Sequence, residues 1–188
     1  NINELNFSKL ISFLFFNFFE IKNIFPISSK LNGEIMFVIK DFNTKLNVIN
    51  SSIIDLEFKN GAINISQFNL FLNNNDYIHN TGSLIIQNKK KYYVFKTNIN
   101  FNHPNLIYSR LTIPKKKRIK KINLNIKSIF DFQNNELIIK EINSNGASFN
   151  SDTISSINDK INNFFFESSE DEVLNFFNVK ALLKSFIY

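Results

Sequence analysis

An alternation of apolar and polar residues with a period of two runs from Leu31 to Phe149 and constrains the fold more than any other feature. Residues two apart lie on the same face of a β-strand, so this alternation predicts strands with one apolar and one polar face. The clearest case is a segment in which Ile54, Leu56 and Phe58 alternate with charged residues. No helix-length pattern interrupts the alternation, which argues against a parallel βαβ arrangement.

Turn-forming residues separate the segments about every 10 to 12 residues, a spacing typical of an antiparallel meander. Asn60-Gly61 and Asn145-Gly146 favour tight hairpins. The apolar positions change from odd to even numbers near Ser66-Gln67, which predicts a β-bulge there. Further turns are predicted at 73–76, 89–91 and 134–135, and the longest alternating strand at 93–101.

The sequence therefore predicts a mainly β protein that forms one structural unit. Residues 1–25 form an apolar helix, residues 26–150 an antiparallel meander sheet curved into an elongated groove, and residues 151–188 a C-terminal amphipathic helix. The first segment is so apolar that a pair of Phe-rich strands remains an alternative. The last helix is predicted from the capping-box spacing of Ser169 and Glu172. Because the first residue is Asn1, we expect a segment of a longer protein.

Composition argues against several classes of functional site. The chain has no Cys and two His, His79 and His103, so thiol nucleophiles, zinc fingers and His-rich metal sites are not expected. No GxSxG motif frames a Ser, and the paired carboxylates (Asp55 with Glu57, Glu136 with Glu141) fall in turns or on polar faces. We expect no catalytic residue, no metal site and no cofactor, and thus a protein that is not an enzyme.

Basic residues concentrate in the middle third of the chain. The net charge is +6, yet 12 basic and no acidic residues lie between Tyr77 and Phe130. Such a patch attracts polyanions, and we expect its densest run to face solvent or lipid headgroups. That run comprises Lys115, Lys116, Lys117, Arg118, Lys120 and Lys121.

Nuclear targeting and nucleic-acid binding are alternative interpretations of this run. They are disfavoured because the run leads directly into a predicted strand, Ile119 to Ile126, and because no aromatic residues are interleaved with the lysines.

The apolar face of the predicted sheet is larger than two helices readily cover. A one-sided sheet must bury that face against something. One possibility is an ordinary core closed by the two helices, and the other is a groove that receives acyl chains. In the second interpretation the lipid-facing residues are Ile54, Leu56, Phe58, Leu70, Leu72, Tyr93, Phe95, Ile99 and Phe101.

Several segments resemble the C-terminal region of AsmA-like proteins of Gram-negative bacteria. They are LNGEIMFVIKDFN, SSIIDLEFKNGAINISQFNLFL and GSLIIQN, with Gly33, Gly61 and Gly82 at the glycine positions of that family's strand-and-turn pattern. The string LIYSRLTIPKKKRIKKINLNIKSIFDFQNNELIIKEINSNG is similar to the end of alphaproteobacterial members. The resemblance spans roughly Ser8 to Phe186.

The resemblance implies a periplasmic protein, anchored to the inner membrane by an upstream helix, that supports outer-membrane biogenesis. AsmA-like proteins form long, groove-lined β structures thought to conduct phospholipids, so a phospholipid or other envelope lipid is the expected partner, with other envelope proteins as further partners. No nucleic-acid partner is expected. The alternatives are a basic nucleic-acid-binding module and a purely structural domain of a larger envelope protein.

Overall fold

The computed structural model of the chain describes residues 30–40, 49–60, 62–72, 75–88, 90–110, 113–134 and 136–166. These residues form an open, eight-stranded antiparallel sheet in which each strand pairs with its neighbour in sequence, so the predicted mainly β meander is confirmed. The strands are β1 (Gly33–Lys40), β2 (Ile49–Lys59), β3 (Ala62–Leu72), β4 (Tyr77–Gln87), β5 (Lys90–Phe101), β6 (Ile122–Asp131), β7 (Glu136–Ser144) and β8 (Ala147–Ser148).

Two α-helices accompany the described part of the sheet. Helix α1 (Asn105–Arg110) and a 3₁₀ helix (Lys115–Lys117) connect β5 to β6, and α2 (Ser151–Phe166) follows β8. The helix predicted for residues 1–25 and the one predicted to begin at Ser169 lie outside the described residues. Sequence analysis did not predict α1. Helix α2 lies within residues 151–188, the range predicted to form a C-terminal amphipathic helix, but it begins well before the capping box at Ser169 on which that prediction was based.

Helix α2 begins at an asparagine cap and buries one stripe. The Asn150 Oδ1 atom accepts a hydrogen bond from the Thr153 N–H at 2.9 Å, which satisfies a backbone donor of the first turn. Ile157 and Ile161, one turn apart, are buried in the same cluster as residues of the sheet.

Asparagines in the left-handed conformation form the tight turns. Asn60, Asn75, Asn88 and Asn145 have φ angles of 52°, 60°, 52° and 49°, a region that asparagine tolerates better than most residues. The hairpins predicted at 60–61 and 145–146 are confirmed. The turn predicted at 89–91 is displaced: its left-handed residue is Asn88, and β5 already includes Lys90 and Lys91.

The predicted bulge in β3 is also confirmed. Asp55 pairs with Gln67 and Leu56 pairs with Ile65, so Ser66 is the extra residue. The register of β3 against β4 shifts at the same place. Because one residue is added, Ile65 and Phe68 lie on the same face of the sheet despite their odd and even numbers.

The buried core covers the α1 end of the apolar face and extends along β7 beneath α2. There Ile122 and Leu124 of β6 pack with Tyr108 of α1 and with Ile113. The β5–α1 connection is held by the buried Asp76, whose Oδ1 atom accepts hydrogen bonds from the N–H groups of Asn102 (2.6 Å) and His103 (3.1 Å). Strand β6 begins at Ile122, three residues later than predicted, because Ile119 packs against this core from the preceding connection.

The two edges of the sheet differ. Beyond the short β8, α2 lies along β7. The side-chain amide of Asn158 accepts a hydrogen bond from the Ile139 N–H at 2.7 Å and donates one to the Ile139 C=O at 3.1 Å. The side-chain amide of Asn162 makes the same two bonds with Leu137, at 2.9 Å each. At the other edge, β1 pairs only with β2 among the described residues.

Candidate functional site

All residues predicted to face lipid share one face of the sheet. The register pairs Leu56 with Ile65, Leu70 with Ile78, and Ile99 with Leu124, so corresponding faces of β2 to β6 coincide. On the opposite face lie the charged residues Asp55 and Glu57, which alternate with the apolar positions of β2.

Some of these residues belong to the closed core. Leu70, Leu72 and Phe101 are members of the buried cluster that includes Tyr108 and Ile113, and Ile99 packs against that cluster. We refer to Leu70, Leu72, Ile99 and Phe101 as the covered end of the apolar face. Their side chains pack against other parts of the protein, as expected if this end of the face is an ordinary core and not a groove for acyl chains.

The others lie toward the opposite end of the strands. Leu56, Phe58, Tyr93 and Phe95 are half-buried and, among the described residues, neither belong to that cluster nor pack against it; in this sense we refer to them as the uncovered end. Next to them on the same face, Ile86 of β4 is 66% exposed and Phe37 of β1 is 47% exposed. Ile54 lies between the two ends and is buried. The predicted set is therefore divided into a core part and a partly exposed part.

Two aromatic rings form the floor of the uncovered end. The rings of Tyr93 and Phe95 stack with their centroids 5.0 Å apart and their planes 17° apart. The Tyr93 ring lies over Gly82, where an added Cβ atom would be 2.5 Å from the Tyr93 hydroxyl and 2.8 Å from the Phe95 Cβ atom. Only a residue without a side chain lets the Tyr93 ring approach the sheet this closely.

A short polar chain borders this floor. The Tyr93 hydroxyl donates to Asn80 Oδ1 at 3.2 Å, and Asn80 Nδ2 donates to Thr97 Oγ1 at 2.8 Å. Burial raises the pKa of the Tyr93 phenol, so the hydroxyl remains a neutral donor at physiological pH. Sequence analysis did not predict that Asn80 and Thr97 take part in the site. The available signal was that both are polar residues at positions where the alternation calls for apolar ones.

The basic run lies at the covered end and is not brought next to the uncovered end. The run leads into β6 at Ile122, which pairs with Phe101 of β5. Phe101 and Tyr93 are separated by roughly 27 Å along β5. The exposed members of the run are Lys115, Lys116, Lys120 and Lys121, and the side chain of Lys117 lies outside the described residues.

Arg118 differs from these lysines. Its Nε atom donates to the Ile113 carbonyl at 2.9 Å, and its guanidinium lies over the Tyr108 ring, 5.9 Å from the centroid. The side chain therefore fixes the connection between α1 and β6, a role that differs from the predicted contact with headgroups.

A different lysine lies beside the uncovered end. Lys91 of β5 is half-buried, lies on the same face as Tyr93, and pairs with the exposed Ile86 of β4. Its backbone carbonyl accepts the Phe132 N–H at 3.2 Å, which fixes the start of β5. A lysine stem can cover apolar surface while its ammonium group points toward water or an anion.

The described histidines are engaged in local structure. The His79 ring hydrogen-bonds Asn69 on the polar face, and the His103 N–H donates to Asp76. Across the described ranges, no three His, Asp or Glu side chains are grouped so that they could hold a metal ion. None of the helices in these ranges is long and apolar enough to cross a membrane.

Comparison with known proteins gives no match to any family model, curated protein or solved structure. The site is therefore interpreted from its own geometry. It consists of large apolar side chains around a stacked aromatic floor, a hydrogen-bonded polar chain at its border and one lysine beside it. Such a surface suits an apolar ligand that carries a polar or anionic group.

Proposed function

We propose that this chain is a non-enzymatic lipid-binding module whose uncovered end receives acyl chains. The observation that carries the proposal is that Leu56, Phe58, Tyr93 and Phe95 remain partly exposed on the same face as a closed core. Covering the apolar area that these side chains still expose is worth roughly 25 cal/mol per Å², so a ligand that covers several of them together binds favourably. Exposed apolar patches of this kind commonly mark interaction sites.

The surroundings of the uncovered end favour an amphipathic lipid over a plain hydrocarbon. Lys91 lies on the same face of β5 as Tyr93, at the border of the apolar surface, where an anionic headgroup would be close to its side chain. In this proposal the acyl chains lie on the Tyr93–Phe95 floor and the headgroup lies near Lys91. The exposed lysines at the covered end are too distant to bind that headgroup.

The resemblance to AsmA-like proteins supports a more specific form of the proposal. An open antiparallel meander with one apolar face is the kind of fold that this resemblance implies. In this form the sheet is curved into an elongated groove and belongs to a phospholipid-transport conduit that supports outer-membrane biogenesis. The protein is then periplasmic, is anchored to the inner membrane by an upstream helix, and contacts other envelope proteins.

Lipid carried through purification tests the proposal. The chain is produced in the bacterial periplasm and purified, and bound lipid is identified by native mass spectrometry. We expect phospholipid on the wild-type chain, loss of most of it in Phe95→Asp, and retention in Val94→Asp, which places the same charge on the opposite face of β5. A folded wild-type chain that neither retains nor takes up phospholipid would contradict the proposal.

A further inference from the structure

Within the part of the chain that the structure describes, strand β1 is an open edge of the sheet, and it is apolar on both faces. Ile35 and Phe37 lie on the apolar face of the sheet, which we call its inner face, and are 46% and 47% exposed. Met36 and Val38 lie on the opposite, outer face and are 61% and 54% exposed. Its only charged residues, Glu34 and Lys40, lie near its two ends. Edge strands are usually protected by charges, bulges or a covering element. The opposite edge has such protection, from Asn158 and Asn162, and β1 has none among the described residues.

The sequence of β1 is complementary to itself when it is read in the antiparallel direction. If Phe37 of one copy lies opposite Phe37 of another, Glu34 lies opposite Lys40 and Ile35 lies opposite Ile39. Both members of each pair lie on the same face because side chains alternate with a period of two. Two opposite-charge pairs then flank an apolar centre, which is the arrangement that stabilises cross-strand pairing.

Neighbouring registers lose this match. A shift by one residue sets the inner face of one copy against the outer face of the other. A shift that preserves the faces moves Glu34 away from Lys40 and sets it against an apolar residue or beyond the end of the strand. The charges therefore select a single register, the one centred on Phe37.

We propose that two copies of this chain associate through their β1 edges, antiparallel and centred on Phe37. The two sheets then form one continuous sheet around a two-fold axis, and both apolar faces lie on the same side of it. This dimer does not depend on the lipid-binding proposal, because it uses the edge of the sheet, whereas lipid binding uses its face.

Cysteine cross-linking tests the register, and the absence of native Cys makes the 188-residue chain suitable for it. Phe37→Cys places two thiols opposite each other, so oxidation should produce a covalent dimer. Ile35→Cys is the matched control on the same face of the same strand. Its thiols would be about 14 Å apart, beyond the limit of about 7 Å between Cα atoms for a disulfide, so it should stay uncross-linked. A mixture of Ile35→Cys and Ile39→Cys should again cross-link.

Charge reversal tests the selection of the register. Lys40→Glu sets carboxylates opposite each other at both ends of the interface and should weaken dimerisation about tenfold in sedimentation velocity. The double variant Glu34→Lys/Lys40→Glu restores opposite charges and should recover most of the wild-type dimer. A monomeric wild-type chain, equal cross-linking of Phe37→Cys and Ile35→Cys, or a double variant no better than Lys40→Glu would overturn the proposal.

Discussion

At the scale of single residues, Gly82 determines how the floor of the uncovered end is built. The Tyr93 ring occupies the space in which any other residue would place its Cβ atom, and the ring then stacks with Phe95. In the resemblance to AsmA-like proteins, Gly82 occupies one of the glycine positions of the strand-and-turn pattern. In the structure it is an inner residue of β4, opposite Phe95. Its role is therefore to make room for the Tyr93 ring.

Gly82→Ala should move the two rings and destabilise the fold. The new methyl group would overlap the Tyr93 side chain, and relief of such overpacking costs about 1–3 kcal/mol. Urea unfolding followed by circular dichroism measures the change. Ser83→Ala, at the next position and on the opposite face, should change stability by less than about 0.5 kcal/mol. Equal effects of the two substitutions would show that the rings do not depend on Gly82.

Tyr93 should make stability depend on alkaline pH. Burial raises the pKa of its phenol in the folded chain above the ordinary value of 10.0, so above that pH the unfolded chain loses a proton that the folded chain keeps. The free energy of unfolding should therefore fall by up to about 1.4 kcal/mol per pH unit above pH 10 on account of this group, and it should be unaffected by the group at neutral pH. Tyr93→Phe should remove this part of the slope in urea titrations between neutral and alkaline pH. A slope identical to that of the wild type would contradict the assignment.

At the scale of elements, α2 ends the sheet through its asparagine side chains. Asn158 and Asn162 are one turn apart on the helix, and Ile139 and Leu137 are two residues apart on β7, so each amide meets one residue of the strand. Each amide satisfies one N–H and one C=O that an edge strand would otherwise leave unpaired.

Removal of these amides should loosen the β7 edge. Asn158→Ala and Asn162→Ala should each destabilise the chain by about 1–3 kcal/mol, because partly buried backbone groups lose their partners. Asp159→Ala, on the exposed side of the same helix, should have little effect. Amide hydrogen exchange gives the local readout: exchange at Leu137 and Ile139 should accelerate in the asparagine variants, and unchanged exchange would argue against the capping role.

Most strands and turns could be predicted from the sequence, because alternation and turn-forming residues act locally. The bulge at Ser66 is an example, since an extra residue must change the parity of the apolar positions. The helices were harder to predict. α1 has only six residues and depends on the burial of Tyr108 for its position. α2 buries Ile157 and Ile161 within a largely polar segment, a signal that was present but weak.

At the scale of the whole molecule, the apolar face combines a closed core with a partly exposed surface. Sequence alternation could assign Leu56 and Phe101 to the same face, but it could not tell that they would lie in different environments. Leu56 and Phe101 differ because Phe101 belongs to the buried cluster that includes Tyr108 of α1 and Ile113, whereas Leu56 does not. The basic run, which belongs to the connection between α1 and β6, lies far from the uncovered end.

The two ends should respond differently to a buried charge. Phe101→Asp should abolish folding, because an unpaired carboxylate in a closed core costs more than about 4 kcal/mol. Phe95→Asp should leave the chain folded, with a loss of less than about 2 kcal/mol, because the carboxylate can reach water. Urea unfolding of both variants measures the difference. Similar losses of stability would mean that the face is closed along its whole length.

The central claim, that acyl chains contact the uncovered end, is tested most directly by photo-cross-linking. The wild-type chain is loaded with a phospholipid that carries a diazirine in its acyl chain, irradiated, and analysed by peptide fragmentation to locate the label. The account predicts labelling of Leu56, Phe58, Tyr93 and Phe95, with no labelling of Leu72 or Phe101 of the covered end. Labelling concentrated on the opposite face, for example at Val94, or spread without preference over the sheet would contradict it.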